Sequence, residues 1–185
     1  MKATKLVSLA IPILLLVGCG VGDKDSTPKT EQTSNAIMKT VISEKQYPYY
    51  ICEQLVEFQF QKDELLVNSG KAIKDKTKYK EVLKTVNDMD EALDRMENIK
   101  VPDKYKDIHK LVQEGVTDAR KGTKIMKDAD KEDGQKIQEA LLNSIPHMSG
   151  MDGEQWREAT FQIGKETEDA YAKALDKKIK EHAKK

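Results

Sequence analysis

Apolar residues recur along most of this chain at spacings of three and four. Tyr79, Val82, Val86, Met89, Leu93 and Met96 form one such row, which is the period of an amphipathic helix with a single buried face. Thr77 stands where an N-cap is expected. The row stops at Ile99-Lys100-Val101-Pro102, because a proline pushes its predecessor out of the helical region and suits the first turn of the next helix. A second row follows at Tyr105, Ile108, Val112, Gly115, Ala119, Gly122 and Met126, its glycines allowing close helix approach. A short link between matched rows predicts an antiparallel pair.

Upstream, Ile51, Leu55, Phe58, Leu65 and Ala72 share a face from Tyr49 to about Lys74, with Lys62 intruding. Downstream, Ile137, Ala140, Leu141 and Ile145 mark a helix from Asp130, in which Asp130 serves as cap. Pro146, Gly150 and Gly153 interrupt it. Asp152-Gly153-Glu154-Gln155 resembles a capping box. Trp156, Ile163, Ala170 and Ala174 then line one long last helix that ends in a basic tail. No strand pair or fixed repeat stands out. The fold class is all-α: an up-and-down bundle of four main helices plus an interrupted or extra segment, over residues 43–185.

The first 42 residues follow other rules. Met1–Lys5 is basic, and Leu6–Val17 is apolar except for Ser8, with Pro12 as a break. Twelve residues fall short of the about 20 a spanning helix needs, but they fit a secretory signal. The run ends in Leu16-Val17-Gly18-Cys19, which resembles the lipobox of bacterial lipoproteins. That resemblance implies cleavage between Gly18 and Cys19 and a diacylglyceryl group on the Cys19 thiol. It places the mature chain on the extracytoplasmic face of a cell membrane, held by membrane lipid, since two or more acyl chains anchor stably. Gly20 stands where an aspartate would signal inner-membrane retention in Gram-negative members. Residues 1–18 are then the signal peptide, and 19–42 a lipidated, polar tether. Sixteen flexible residues reach roughly 20–25 Å.

Charge changes the picture little. The 185 residues hold 32 bases and 32 acids, but Lys2 and Lys5 belong to the leader, so the chain from Cys19 has 30 against 32. A near-zero to slightly acidic balance argues against a nucleic-acid binder, which normally shows a clear basic excess or stripe. Aromatics at 5% argue against an aromatic-rich all-β fold.

With Cys19 lipidated, Cys52 is the remaining thiol, so an intrachain disulfide has no second partner. Cys52 reads as a buried small apolar residue; an intermolecular disulfide is the alternative. Asp128, Asp130, Glu132 and Glu139 match positions one, three, five and twelve of an EF-hand loop, but Asp133 occupies the glycine position and Lys136 the ninth. The plainer reading is an acidic link between helices. His147, Met148 and Met151 place an imidazole and two thioethers within five residues, soft donors suited to Cu(I). The methionines equally suit the end of a core. His109 lies beside the third row and reads as a core-edge histidine, His182 as solvated. Tyr47-Pro48-Tyr49-Tyr50 is either a packing cluster or a sticky patch for a partner or membrane interface. No G-x-S-x-G, S-x-x-K, H-E-x-x-H or C-x-x-C occurs, so no catalytic residue, cofactor or enzyme activity is expected. The expectation is a non-catalytic binding module with a protein or cell-envelope partner. The alternative is a copper or small-ligand binder using the His147–Met151 loop.

Overall fold

The first long helix, α1 (Tyr47–Lys74), runs 28 residues because its apolar positions never lose helical phase. Pro48 sits in its first turn, where no backbone donor is lost, and Lys71 and Lys74 sit in its last, facing the negative helix end. The helix ends at Asp75, whose extended backbone turns the chain and whose carboxylate accepts from the Thr77 amide at 3.0 Å. Asp75, not Thr77, is therefore the cap, and a 3-10 turn at Lys76–Lys78 precedes α2 (Tyr79–Glu97). Pro102 and a second short turn lead into α3 (Lys106–Lys127). Then come α4 (Gly134–Ser144), two 3-10 turns across Ile145–Asp152, α5 (Glu154–Glu166) and α6 (Ala170–His182).

This computed structural model describes residues 39–184, and the fold is an all-α bundle. The α1 helix packs on α2, α4 and α6, while α3 packs on α2, α4 and α5. Val82, Val86, Met89, Leu93 and Met96 are all fully buried, as their spacing requires. Phe58 of α1 meets Trp156 of α5 edge to face at 5.0 Å, and the indole nitrogen donates to the Val112 carbonyl at 3.0 Å. Arg120 of α3 faces Asp90, Asp94 and Glu97 of α2, with 2.5 Å to Asp94.

Several local expectations are corrected. A two-residue parallel strand pair does exist: β1 (Thr40–Val41) lies on β2 (Ile99–Lys100), and Ile42 beside it is buried. The packed body thus reaches back before Ser43. Asp133, not Asp130, caps α4 by accepting from Gln135; Asp130 closes the preceding turn on Glu132. Gly153 starts α5 without a side-chain cap, so no capping box forms. The expected last long helix is broken at Thr167–Asp169. Glu166 is held by Lys104 and Tyr105, and Asp169 by Tyr49 at 3.0 Å; these distant partners turn the chain so that α6 lies along α1. The described residues share one core of buried apolar side chains, from Ile42 to Ala174.

Candidate functional site: an apolar groove between α1 and α4

Two adjacent leucines on a helix point about 100° apart, so a single neighbour cannot cover both. Leu65 faces the core and is 1% exposed, while Leu66 is 43% exposed. A covering helix would have to continue α4, but Pro146 ends the regular turn there and the chain tightens into 3-10 geometry. Ile145, at 44% exposure, and half-buried Leu141 are left facing Leu66 across an open groove of about 320 Å³. Leu65 and Met148 line it more deeply, and Pro146 also borders it. Leu142, three residues before Ile145, is exposed as well.

The mouth of the groove is polar. The Lys62 amine donates to the Ser149 carbonyl at 3.2 Å and lies 3.4 Å from Asp152. The lysine that interrupts the apolar face of α1 therefore keeps its stem along the groove and its charge at the rim, as long cationic side chains do. Gly150 beside it has a φ of +60°, and a Cβ there would stand 2.6 Å from Gln59 Oε1. Only glycine fits this turn without strain.

Each member of the soft-donor trio has a partner of its own. His147 Nδ1 lies 3.0 Å from Asp118 on α3. Burial raises the Asp118 carboxyl, but hydrogen bonds from His147 and Lys121 outweigh it, and its pKa falls below the usual range. Met148 is buried against Gly122, and Met151 accepts from Thr160 at 3.6 Å. Each donor thus has a different set of neighbours. Among the described residues, no three His, Cys, Asp or Glu side chains gather as a metal-holding group. In the acidic link, Lys136 pairs with Glu139 at 2.8 Å, joining the ninth and twelfth places of the EF-hand-like run to each other.

Cys52 is fully buried, and burial pushes its thiol up to about 12. His109 is buried too, at 3.0 Å from the Tyr47 hydroxyl, with Nε2 lacking a partner among the described residues. Burial first, and the Lys39 charge second, lower it to about 4. Tyr47 stacks on Tyr105 with ring centres 4.5 Å apart. The tyrosine cluster is thus packed within the first turn of α1: Tyr47 inside, Tyr49 on Asp169, Tyr50 on the Arg95 carbonyl. His182 is exposed and lies beside the Phe60 ring. Cys19 lies outside the described residues.

Leu66 was not singled out in the sequence, and Leu65, Leu141, Ile145 and Met148 were read there as core or donor positions, not as a groove. The signal was present in the doublets Leu65-Leu66 and Leu141-Leu142, one more apolar residue than a single buried stripe can use. Comparison with protein-family models, curated proteins and solved structures finds no match to the chain. Among the described residues, no helix is long and apolar enough to cross a membrane.

Proposed function

We propose that this is an extracytoplasmic lipoprotein, anchored through acylated Cys19, whose helical body binds a protein or cell-envelope partner without catalysis. The groove between α1 and α4 is its contact site. The observation that carries this reading is the exposure of Leu66 and Ile145 around an apolar, 320 Å³ groove with one ion pair at its rim. Contiguous apolar surface of this kind marks interaction sites in soluble domains. The anchor rests on Leu16-Val17-Gly18-Cys19 following an apolar run.

A photo-crosslinking side chain at Leu66, in cells, should capture one partner in the membrane fraction. The same group at exposed Lys110 should not. Leu66→Asp should abolish capture elsewhere in the groove while leaving the melting temperature within a few degrees, since Leu66 is already half in water. Absence of any specific adduct from Leu66 and Ile145 counts against the groove. Separately, Cys19→Ala should release the protein or leave it unprocessed, and retention of a processed form refutes the anchor.

A second reading has its own support. The groove volume falls within the about 300–1,000 Å³ typical of small-ligand pockets, so an apolar small molecule is the alternative occupant. A ligand retained through purification and lost in Leu66→Asp would favour it.

A further inference from the structure

The groove between α1 and α4 is hydrocarbon along most of its wall and polar in one place. Leu65 and Leu66 face Leu141, Ile145 and Met148 across it. Lys62, one turn before Leu65 and Leu66 on α1, joins Ser149 and Asp152 through its amine, and these three make up the polar end. That distribution selects among occupants. An extended peptide carries an amide at every residue, and along Leu66 and Ile145 those amides would meet side chains that cannot hydrogen-bond, each at the full cost of desolvation.

A helix satisfies its own amides, but a single turn about 10 Å across and 5.4 Å high fills roughly 420 Å³, more than the 320 Å³ available. A linear alkyl chain needs no polar partner along its length. If a methylene takes roughly 30 Å³, about the share of one water in the liquid, the groove holds about ten or eleven carbons.

The polar end has unused capacity for an anion. An ammonium carries three protons. One from Lys62 goes to the Ser149 carbonyl at 3.2 Å, and a second reaches Asp152 at 3.4 Å, longer than the about 2.7–2.9 Å of a closed ammonium–carboxylate bond. The third has no acceptor among the described residues. The Lys62 side chain is 16% exposed, whereas that of Asp152 is 84% exposed. The loosely held carboxylate can therefore turn into water while the ammonium stays at the groove. A carboxylate at the end of an alkyl chain would take the third proton and then the second.

We propose that the groove holds a single-chain anionic amphiphile, a free fatty acid, with its tail between Leu66 and Ile145 and its carboxylate on Lys62. This rests on the reading of the groove as the contact site and names the envelope component that fills it. The full chain carrying Cys19→Ala, which has no acyl group at that position, is titrated in detergent-free buffer with labelled straight-chain fatty acids of six to sixteen carbons, and binding is read by equilibrium dialysis. Affinity should rise about fourfold with each added methylene and level off near eleven or twelve carbons, where the tail outgrows the groove. Dodecanol should bind about tenfold more weakly than dodecanoate. Lys62→Met should erase that difference, and Leu66→Asp should abolish binding of both. Asp152→Asn, a change at an exposed side chain, should tighten dodecanoate severalfold and leave the melting curve in place, so the head site is tested even where Lys62→Met fails to fold. An affinity that climbs steadily to sixteen carbons, equal binding of acid and alcohol, or binding retained in Leu66→Asp overturns the proposal. So does binding seen with phosphatidylglycerol vesicles and not with the free acids, which would assign the face to a bilayer. If no acid binds while a crosslinker at Leu66 still captures a protein, the fatty acid is excluded and the contact site stands; if neither is seen, both fall.

Discussion

Gly115→Ala should destabilise the bundle although alanine is the better helix former. A Cβ at Gly115 would lie 2.3 Å from Trp156 Nε1 and 2.5 Å from Cδ1, well inside van der Waals contact. The indole must shift by an ångström or more. Its neighbours are Phe58 on one side and the Val112 carbonyl that accepts its N–H at 3.0 Å, so it cannot move without loosening both. Overpacking of this kind costs about 1–3 kcal/mol, and stretching a buried hydrogen bond costs about 1 kcal/mol more. The gain in helix propensity returns about 1 kcal/mol. The net loss is about 2 kcal/mol, which for a body of this size lowers Tm by about 4–8 °C.

Trp156 is the single tryptophan and is 2% exposed, so its emission reports on the contact directly. Gly115→Ala should melt earlier and shift that emission to the red. Gly164→Ala and Gly70→Ala are the controls: both glycines lie within helices, and an added Cβ at either meets nothing within 4 Å. Each should hold or gain up to about 1 kcal/mol. Gly115→Ala with wild-type stability and unmoved emission would refute the close approach of α3 to α5.

Three further outcomes follow from buried and paired groups. His109 has a folded pKa of about 4 against an ordinary 6.5, so the unfolded chain takes up its proton first as pH falls. Stability is complete above about 6.5 and should fall by about 2–3 kcal/mol as pH drops towards 4; His109→Gln should flatten that limb of a Tm-against-pH curve. Cys52, buried with its thiol raised to about 12, should resist a thiol reagent in the native protein and react on unfolding, and the body should run as a monomer on a non-reducing gel. Arg120→Ala leaves Asp90, Asp94 and Glu97 facing one another without their shared cation. The loss should be about 1–2 kcal/mol, discounted because the guanidinium is one-third exposed, and it should shrink in salt; a salt-independent loss in urea titrations would point to packing instead.

The rows at three and four were legible because burial of α2 and α3 is local: once Val82 faces inward, Val86, Met89 and Met96 follow. The boundaries were not. Thr77 and Asp75 are both good caps, and the choice fell to Asp75 because its carboxylate accepts from both the amide and the hydroxyl of Thr77. The break after Glu166 has no proline to announce it, and Gly164 lies inside α5, not at the break. It depends on Lys104, Tyr105 and Tyr49, contributed by residues at least 61 positions away. The pairing of Thr40 with Ile99 is equally non-local and only two residues long, too short to leave a period-two signal.

The groove owes its availability to α1. Its buried positions exceed one stripe: Gln54, Gln61, Asn68 and Ser69 are covered along with its apolar residues, because neighbours press on it from several sides. Towards α4 its contacts are apolar, Leu65 and Leu66 against Leu141 and Met148. Towards α6 they are largely charged, Glu53 and Glu57 against Lys177 and Lys178. Burial alone would raise the Glu57 carboxyl, yet hydrogen bonds from Lys178 and Gln61 lower it, so that pair holds the helix most firmly. The outer pair, more than one-third exposed on both sides, contributes at most about 1 kcal/mol. An apolar contact is driven by its removal from water. The α1–α4 face therefore stays shut beneath Leu65 and opens only where α4 ends, whereas the α1–α6 contact rests in part on an exposed ion pair that salt weakens.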